Sequence, residues 1–155
     1  MSSTKDKAPR PLRNGEYVAL AEFRYQLRKF QHYMQDQVRA LGVNPQQYQL
    51  VLAIKGLPPE QTPTIGALAE RMQLNHNSTV ELVDRCEKRG LLRRERSQAD
   101  RREVRLTVTS RGEALLRKLG SSARTELIES GAALVDAVQQ LTRGASNHRG
   151  QAKKS

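Results

Sequence analysis

Asn77, Ser78, Glu81, Arg85 and Lys88 recur at spacings of one, three and four in one stretch of the chain, which opens on His76. On a helix that spacing gathers them on one side. Their chemistry suits the edge of a base pair. Asn and Arg can each pair bidentately with a base, while Ser and Glu offer acceptors. Further on, Arg101 and Arg102 follow Asp100 in a short charged segment, Ser97 to Arg102. A cation at the tip of a narrow ribbon can reach a minor groove, where the negative potential is strongest. A solvated helix face and a solvated turn would use the same residue types. The order of the two segments, and what lies around them, favours the nucleic-acid reading.

The elements that must position these residues are legible from periodicity and punctuation. Leu20, Phe23, Leu27, Phe30, Met34, Val38 and Leu41 recur at three and four, which predicts a long first helix from Glu16 to about Ala40, ended by Gly42. Asn44 and Pro45 start a second helix to about Ile54, Asn as N-cap and Pro at the first helical position. Thr64 caps a short third helix with Ile65, Leu68, Ala69 and Met72. A tight Gln73-Leu74-Asn75 turn leads to a fourth helix, His76 to Arg89, with Gly90 at the left-handed position after it. Val80, Val83 and Cys86, flanked by Leu82, form its inward side, and the small Ala69 suits the crossing of helices three and four. Two strands follow, Leu91 to Arg96 and Glu103 to Val108, the second alternating Val104, Leu106 and Val108 with Arg105 and Thr107. Thr109 caps a fifth helix with Ala114, Leu115, Leu119, Ala123 and Leu127. Ser130-Gly131 is expected to break it before a last helix with Leu134, Val138 and Leu141.

The order helix, tight turn, helix, strand, charged hairpin, strand is a helix-turn-helix followed by a wing. The exposed N-terminal half of such a second helix is the part that enters a major groove. Charge agrees. The chain has 155 residues, a formal net charge of +11 and a sequence pI near 10.4, more than solubility needs, so a polyanionic partner is indicated. Basic ends contribute, through Lys5, Lys7, Arg10 and Arg13 and through Arg143, His148, Arg149, Lys153 and Lys154. Yet Arg71 to Arg105 still holds ten Lys/Arg against six Asp/Glu. With no tryptophan and few aromatics, stacking of single-stranded bases is disfavoured.

The chain resembles the MarR-type (multiple antibiotic resistance regulator) winged helix-turn-helix transcription factors from about Tyr17 to Leu141. The resemblance is carried by Leu68-Ala69, Val83-Asp84-Arg85, Lys88-Arg89-Gly90-Leu91-Leu92, and most specifically by Asp100-Arg101-Arg102 leading into Leu106-Thr107-Val108-Thr109 and Gly112. It implies a two-fold homodimer in which first and last helices interlock, with the wing arginine at Arg102, Arg101 beside it, and the recognition helix at His76 to Arg89. Asp84 and Asp100 match acidic positions that hold arginines by pairing. Two positions depart from the family pattern. Cys86 stands where Leu is usual, and Glu81 stands where many members have Arg or Ser, which alters the base preference towards a cytosine amino group. Many members bind small aromatic acids between their lobes. By that resemblance Tyr25, His32, Tyr33 and Tyr48 are candidate lining residues for an aromatic effector, although ordinary packing explains each one singly.

The expected fold class is mostly α (α+β). Residues 1–15 are a disordered arm and 16–142 a single domain, with a dimerisation lobe from 16–55 and 110–142 and a winged lobe at 62–109. Residues 143–155 are a disordered basic tail. The stripe Leu20, Phe23, Leu27 and Phe30, with Leu134, Val138 and Leu141, is more apolar area than a monomer surface carries. One cysteine permits no intramolecular disulfide; on an apolar helix face Cys86 is expected to be inert and buried against the third helix. The scattered His32, His76 and His148 give no metal spacing, and no catalytic set or phosphate loop stands out. The chain is therefore expected to need no metal or cofactor, to be no enzyme, to use no membrane and to act in the cytoplasm. The function expected is sequence-specific binding of double-stranded DNA by a repressor. A protein-interaction winged helix and a non-specific nucleic-acid coat are the alternatives.

Overall fold

The computed structural model describes residues 10–146. Its elements are α1 (Asn14–Ala40), α2 (Pro45–Lys55), α3 (Ile65–Met72), α4 (His76–Lys88), β1 (Leu92–Arg96), β2 (Val104–Val108) and α5 (Ser110–Ser146). This is the mostly helical, winged helix-turn-helix order read from the sequence. The expectations for 1–9 and 147–155, including Lys5, Lys7, His148, Arg149, Lys153 and Lys154, lie outside the described residues. No described helix is long and apolar enough to cross a membrane.

Local chemistry sets the boundaries. After α1, Gly42 takes a φ of 69°, and the N–H of Gly42 and of Val43 return to Arg39 O and Val38 O. That is the paired bonding of a left-handed helix stop, which glycine adopts without a Cβ penalty. Asn44 then starts α2 with a full capping box: its side chain accepts from Gln46 N–H, and Gln47 Oε1 accepts from Asn44 N–H. Thr64 Oγ1 accepts from Ala67 N–H at 3.2 Å at the start of α3. Asn75 Oδ1 accepts from Ser78 N–H at 2.8 Å at the start of α4. Between α3 and α4 the chain turns through Gln73, a non-glycine residue at φ 54°. Its side-chain amide donates to Glu70 O at 2.8 Å, so the polar side chain helps to stabilise its own unusual backbone.

Two units divide the described chain. Residues 10–31 and 126–146 fall in one, and 32–125 in the other. The larger unit buries Val38, Leu50, Val51, Leu68, Leu82, Val83, Cys86, Leu92, Leu106 and Leu119 almost completely. β1 and β2 pair antiparallel with Leu92 opposite Val108 and Arg96 opposite Val104. Leu106 N–H also donates to Pro63 O at 2.8 Å, so the connection before α3 borders the ribbon as a third partner. The smaller unit buries Ala19 and Ala137, while Tyr17, Val18, Leu20, Leu127, Ile128, Val135 and Val138 are exposed.

Two expectations change. Ser130-Gly131 does not break α5, which is continuous. The Ser130 hydroxyl donates to Glu126 O at 2.8 Å, and one Ser and one Gly cost only about 1 kcal/mol of helix propensity. Asn14 and Gly15, expected in the arm, are helical, and 143–146, expected in the tail, belong to α5. Glu16 anchors the start of α1. It pairs with Arg10 at 2.5 Å and accepts from Arg13 N–H at 2.7 Å, and these contacts hold its carboxyl below the usual range. The Cys86 thiol is buried as expected, and its Sγ lies 3.9 Å from Gln47 O of α2.

Two tests follow from this packing. A Cβ on Gly112 would lie 2.2 Å from Leu91 O and 2.6 Å from Val108 Cγ1, whereas one on Gly120 meets nothing within 4 Å. Gly120→Ala should stabilise by about 0.5–1 kcal/mol through helix propensity. Gly112→Ala should destabilise by about 2 kcal/mol and lower Tm by roughly 4–8 °C, measured by thermal unfolding of both variants. Burial pushes the Cys86 thiol up to about 12. The folded thiol stays protonated at pH values where the unfolded one ionises, so stability falls as pH rises through the ordinary value of 9.0 towards about 12. At pH 8 iodoacetamide should label Cys86 only when denaturant is added; rapid labelling of the folded protein would contradict the burial.

Candidate nucleic-acid interface

α4 presents one wet and one dry side. Thr79, Leu82, Val83 and Cys86 are buried, and Val80 is partly so. Thr79 was not singled out by the hydrophobic pattern; its hydroxyl is satisfied by donating to Asn75 O at 2.9 Å, which lets a polar residue sit in the core. His76, Asn77, Glu81, Arg85 and Lys88 are exposed together, and Ser78 is half-buried beside the N-cap. The predicted site residues of this helix therefore share a face. Two of them are already in contact: Arg85 Nη2 lies 3.6 Å from Glu81 Oε2, and its Nε donates to Glu81 O at 3.3 Å. Glu81 thus orients Arg85 as well as offering its own carboxylate.

The ribbon adds Arg101 and Arg102, both exposed at the tip. Among the described residues no carboxylate lies within 4 Å of either guanidinium. Among the described residues Asp100 forms no side-chain ion pair, unlike the pairing that its family position implied. Its Oδ1 accepts from Arg102 N–H at 2.9 Å, closing a side-chain turn that sets the tip's backbone. Ser97 N–H donates to Glu103 O, and Glu103 N–H donates to Asp100 O, completing the hairpin end.

Asp84 does hold an arginine, and it is Arg94 of β1. Asp84 Oδ1 accepts from Arg94 Nη2 at 2.6 Å, and Glu87 takes the other guanidinium nitrogen and also the Arg94 N–H. One fork therefore ties two turns of α4 to the first strand. The hydrogen bond to Asp84 is the chief influence holding the guanidinium in its charged form. Arg94 was missed from sequence because nothing in its spacing marks it off from Arg93, Arg96 or Arg105. Arg93 instead pairs with Glu95 at 2.5 Å, which holds that carboxyl low, and Thr107 donates to the same group at 3.0 Å.

Of the four effector candidates, Tyr25 falls in the smaller unit and His32, Tyr33 and Tyr48 in the larger. Tyr25 is half exposed with Lys29 Nζ 5.6 Å from its ring centre. His32 sits at the surface with Nδ1 3.3 Å from Asp36 Oδ2. Tyr33 is half-buried, and Tyr48 is buried, which raises its phenol. Neither groove identified in the larger unit is lined by any of them. One, of about 280 Å³, lies between the α1–α2 turn, the end of α4 and the start of α5. The other is a polar hollow around Thr62 and Glu70 beside α3.

Comparison with known proteins agrees with this geometry. Residues 41–103 match the family model of the MarR family. The HTH-type transcriptional regulator PapX of Escherichia coli is 26% identical over 102 residues, 66% of this chain and 62% of its own length. The chain thus aligns with less than two thirds of that relative. Among solved structures, AbsC, a MarR family transcriptional regulator from Streptomyces coelicolor, superposes with a TM-score of 0.66 at 19% identity, covering 92% of this chain and all of its own. Sco3205, another from Streptomyces coelicolor, was solved in complex with DNA; it superposes with a TM-score of 0.57 at 23% identity over 90% of this chain and 79% of its own. The chain carries the winged helix-turn-helix fold of these MarR family structures, and the family model it matches spans its residues 41–103.

Proposed function

We propose that the protein is a sequence-specific DNA-binding transcriptional regulator, a repressor that occludes its promoter as a homodimer on a pseudo-palindromic operator in the cytoplasm. The observation that carries this is the joint exposure of Asn77, Glu81, Arg85 and Lys88 on α4 with two acid-free arginines at the tip of a ribbon that Arg94 ties to the same helix. A base-reading surface and a phosphate-seeking one are thereby fixed in one body. Ser78, His76 and Arg101 extend the contact to the backbone. The MarR family is one of transcription regulators rather than enzymes, and the DNA complex of Sco3205 is consistent with this reading.

Homodimerisation is supported by the apolar residues exposed on the smaller unit, among them Tyr17, Val18, Ile128 and Val135. We assign a dimerisation lobe to 16–55 and 110–142 and the winged lobe to 62–109. Two recognition helices must then lie about 34 Å apart, one turn of duplex. Release of the operator by a small effector, of the aromatic-acid class or a related one, is part of the reading.

Three outcomes test it. Arg102→Ala should weaken operator binding by about 1–3 kcal/mol with little change in preferred sequence, because the minor groove distinguishes bases poorly. Asn77→Ala and Glu81→Ala should instead relax preference at particular inner positions, by roughly 1–3 kcal/mol for each lost base contact. Titration of each variant against operators selected from random DNA, and against single-base changes of them, separates the two classes. If all three substitutions are silent at moderate salt, the surface binds protein instead. Deleting 129–141 should yield monomers or insoluble chain; a well-behaved dimer in light scattering would refute the lobe assignment.

A further inference from the structure

α4 carries three acids, Glu81, Asp84 and Glu87. Arg94 of β1 takes the second and the third. Glu81 lies outside that clamp, its side chain 72% exposed on the face that also carries Asn77 and Lys88. Its one ion-pair partner among the described residues is Arg85, one turn further on. The Arg85 side chain folds back along the helix. Its Nε donates to Glu81 O at 3.3 Å, and its Nη2 stands 3.6 Å from Glu81 Oε2. Glu81 Oε1 receives no hydrogen bond among the described residues. An acceptor and a donor are thereby held side by side at an exposed surface. On a DNA-facing surface a carboxylate is repelled by the phosphates, so its presence there calls for a donor on the DNA to meet it.

In a major groove the donors are the amino groups of adenine and cytosine. Adenine sets an acceptor, N7, beside its amino group. That edge suits Asn77, whose amide offers a donor and an acceptor together, and it repels the second oxygen of a carboxylate. Cytosine has no acceptor of its own beside N4, and across the base pair stands guanine O6. N4 and O6 are joined by the base-pair hydrogen bond and so lie roughly 3 Å apart. The Glu81 and Arg85 atoms, 3.6 Å apart, match that spacing with the opposite polarity. We propose that Glu81 and Arg85 read one C·G base pair as a unit, Glu81 accepting from cytosine N4–H and Arg85 donating to guanine O6, and that methylation of that N4 amino group excludes the protein from its operator. To stay paired with guanine, N4-methylcytosine keeps its remaining N–H towards O6 and points its methyl group into the major groove. Glu81 then loses its donor and meets a methyl group, which leaves a desolvated carboxylate unpaired. The inference rests on the proposed sequence-specific DNA binding and adds to it a response to a covalent mark on the operator.

The test starts by selecting binding sites from random DNA with the full chain. Operators carrying N4-methylcytosine at one cytosine at a time are then titrated in a gel-shift assay. Methylation of one inner cytosine in each half-site should weaken binding about tenfold or more. Glu81→Ala should bind the methylated and unmethylated duplexes equally. Arg85→Ala should lose the preference for C·G at that same base pair. Arg85→Lys keeps the charge but not the planar fork, so it should lose the preference too while retaining the salt dependence of wild type. Both positions are exposed, so each variant should keep the wild-type Tm. If methylation changes nothing at any cytosine, or if the discrimination persists in Glu81→Ala, the inference is overturned while sequence-specific binding stands. If Arg85→Ala weakens all sequences alike and Arg85→Lys restores them, Arg85 is a phosphate contact and the paired reading fails. If no sequence is enriched at all, the DNA-binding reading falls and this inference with it.

Discussion

The backbone of Gly90 and Leu91 is held from three sides at once. At the end of α4, the N–H of Gly90 and of Leu91 return to Glu87 O and Cys86 O, with Gly90 at a φ of 69°. From the far side of the ribbon, Thr109 N–H donates to Leu91 O at 3.1 Å, and the Thr109 hydroxyl donates to Gly90 O. From α5, Gly112 packs so closely that a Cβ would collide with that same Leu91 carbonyl. Recognition helix, wing and fifth helix therefore share one junction two residues long. The direction in which Arg102 points relative to Asn77 depends on this junction, since β1 starts immediately after it and β2 ends immediately before Thr109. Leu91 and Arg89 also line the groove beside α5.

Charge is partitioned around that junction. Arginines of the α4–ribbon body fall into two groups of different physical character. Arg94, Arg93 and Arg105 have acids within 4 Å: Arg94 holds the first strand to α4, and Arg93 and Arg105 pair with Glu95 and Glu103 along their own strand segments. Such fixed forks lose little on binding, because their geometry is already set. Among the described residues Arg101 and Arg102 have no such acid, and in the proposed function they would meet phosphates. The recognition face combines both habits in the Glu81–Arg85 pair. A pair of this kind is worth little to stability at an exposed site, but it orients two hydrogen-bonding side chains in advance. A change at Glu81 therefore also frees Arg85.

The two units differ in how completely they bury what they carry. The larger one satisfies its core and its polar groups, including the hydroxyl of Thr79 and the guanidinium of Arg94. The smaller one leaves Val18 and Ile128 about 70% exposed, an arrangement that a second copy of the chain would relieve by removing apolar area from water. A dimer assembled in this way would bring two winged bodies under a common constraint, and small changes at the end of either α4 would alter their separation.

The sequence by itself determined what depends on neighbours a few residues away. Asn44 with Gln47, Thr64 and Asn75 as caps, Gly42 and Gly90 as stops, and the alternation of β2 all act within about one turn of chain, so their signals are written consecutively. The winged-helix order, the shared face of Asn77, Glu81, Arg85 and Lys88, and the burial of Cys86 followed from these. Tertiary structure decided whatever depends on distant partners. Which arginine is a clamp and which is free was invisible, because Arg94 finds Asp84 and Glu87 across elements. Ser130-Gly131 reads locally as a break, yet α5 runs through it, its hydroxyl bonding back along the helix and the propensity cost being small beside the packing of a long helix. Gly112 reads as an ordinary residue of a helix start, and only the approach of Leu91 O explains it. The tyrosines at 25, 33 and 48 lie on helices at plausible positions, but convergence on a cavity is a property of three dimensions that no local pattern records. The groove that does form joins residues 43, 89, 91, 111, 115 and 118, whose adjacency is created by the junction at Gly90 and Leu91 and by no local pattern.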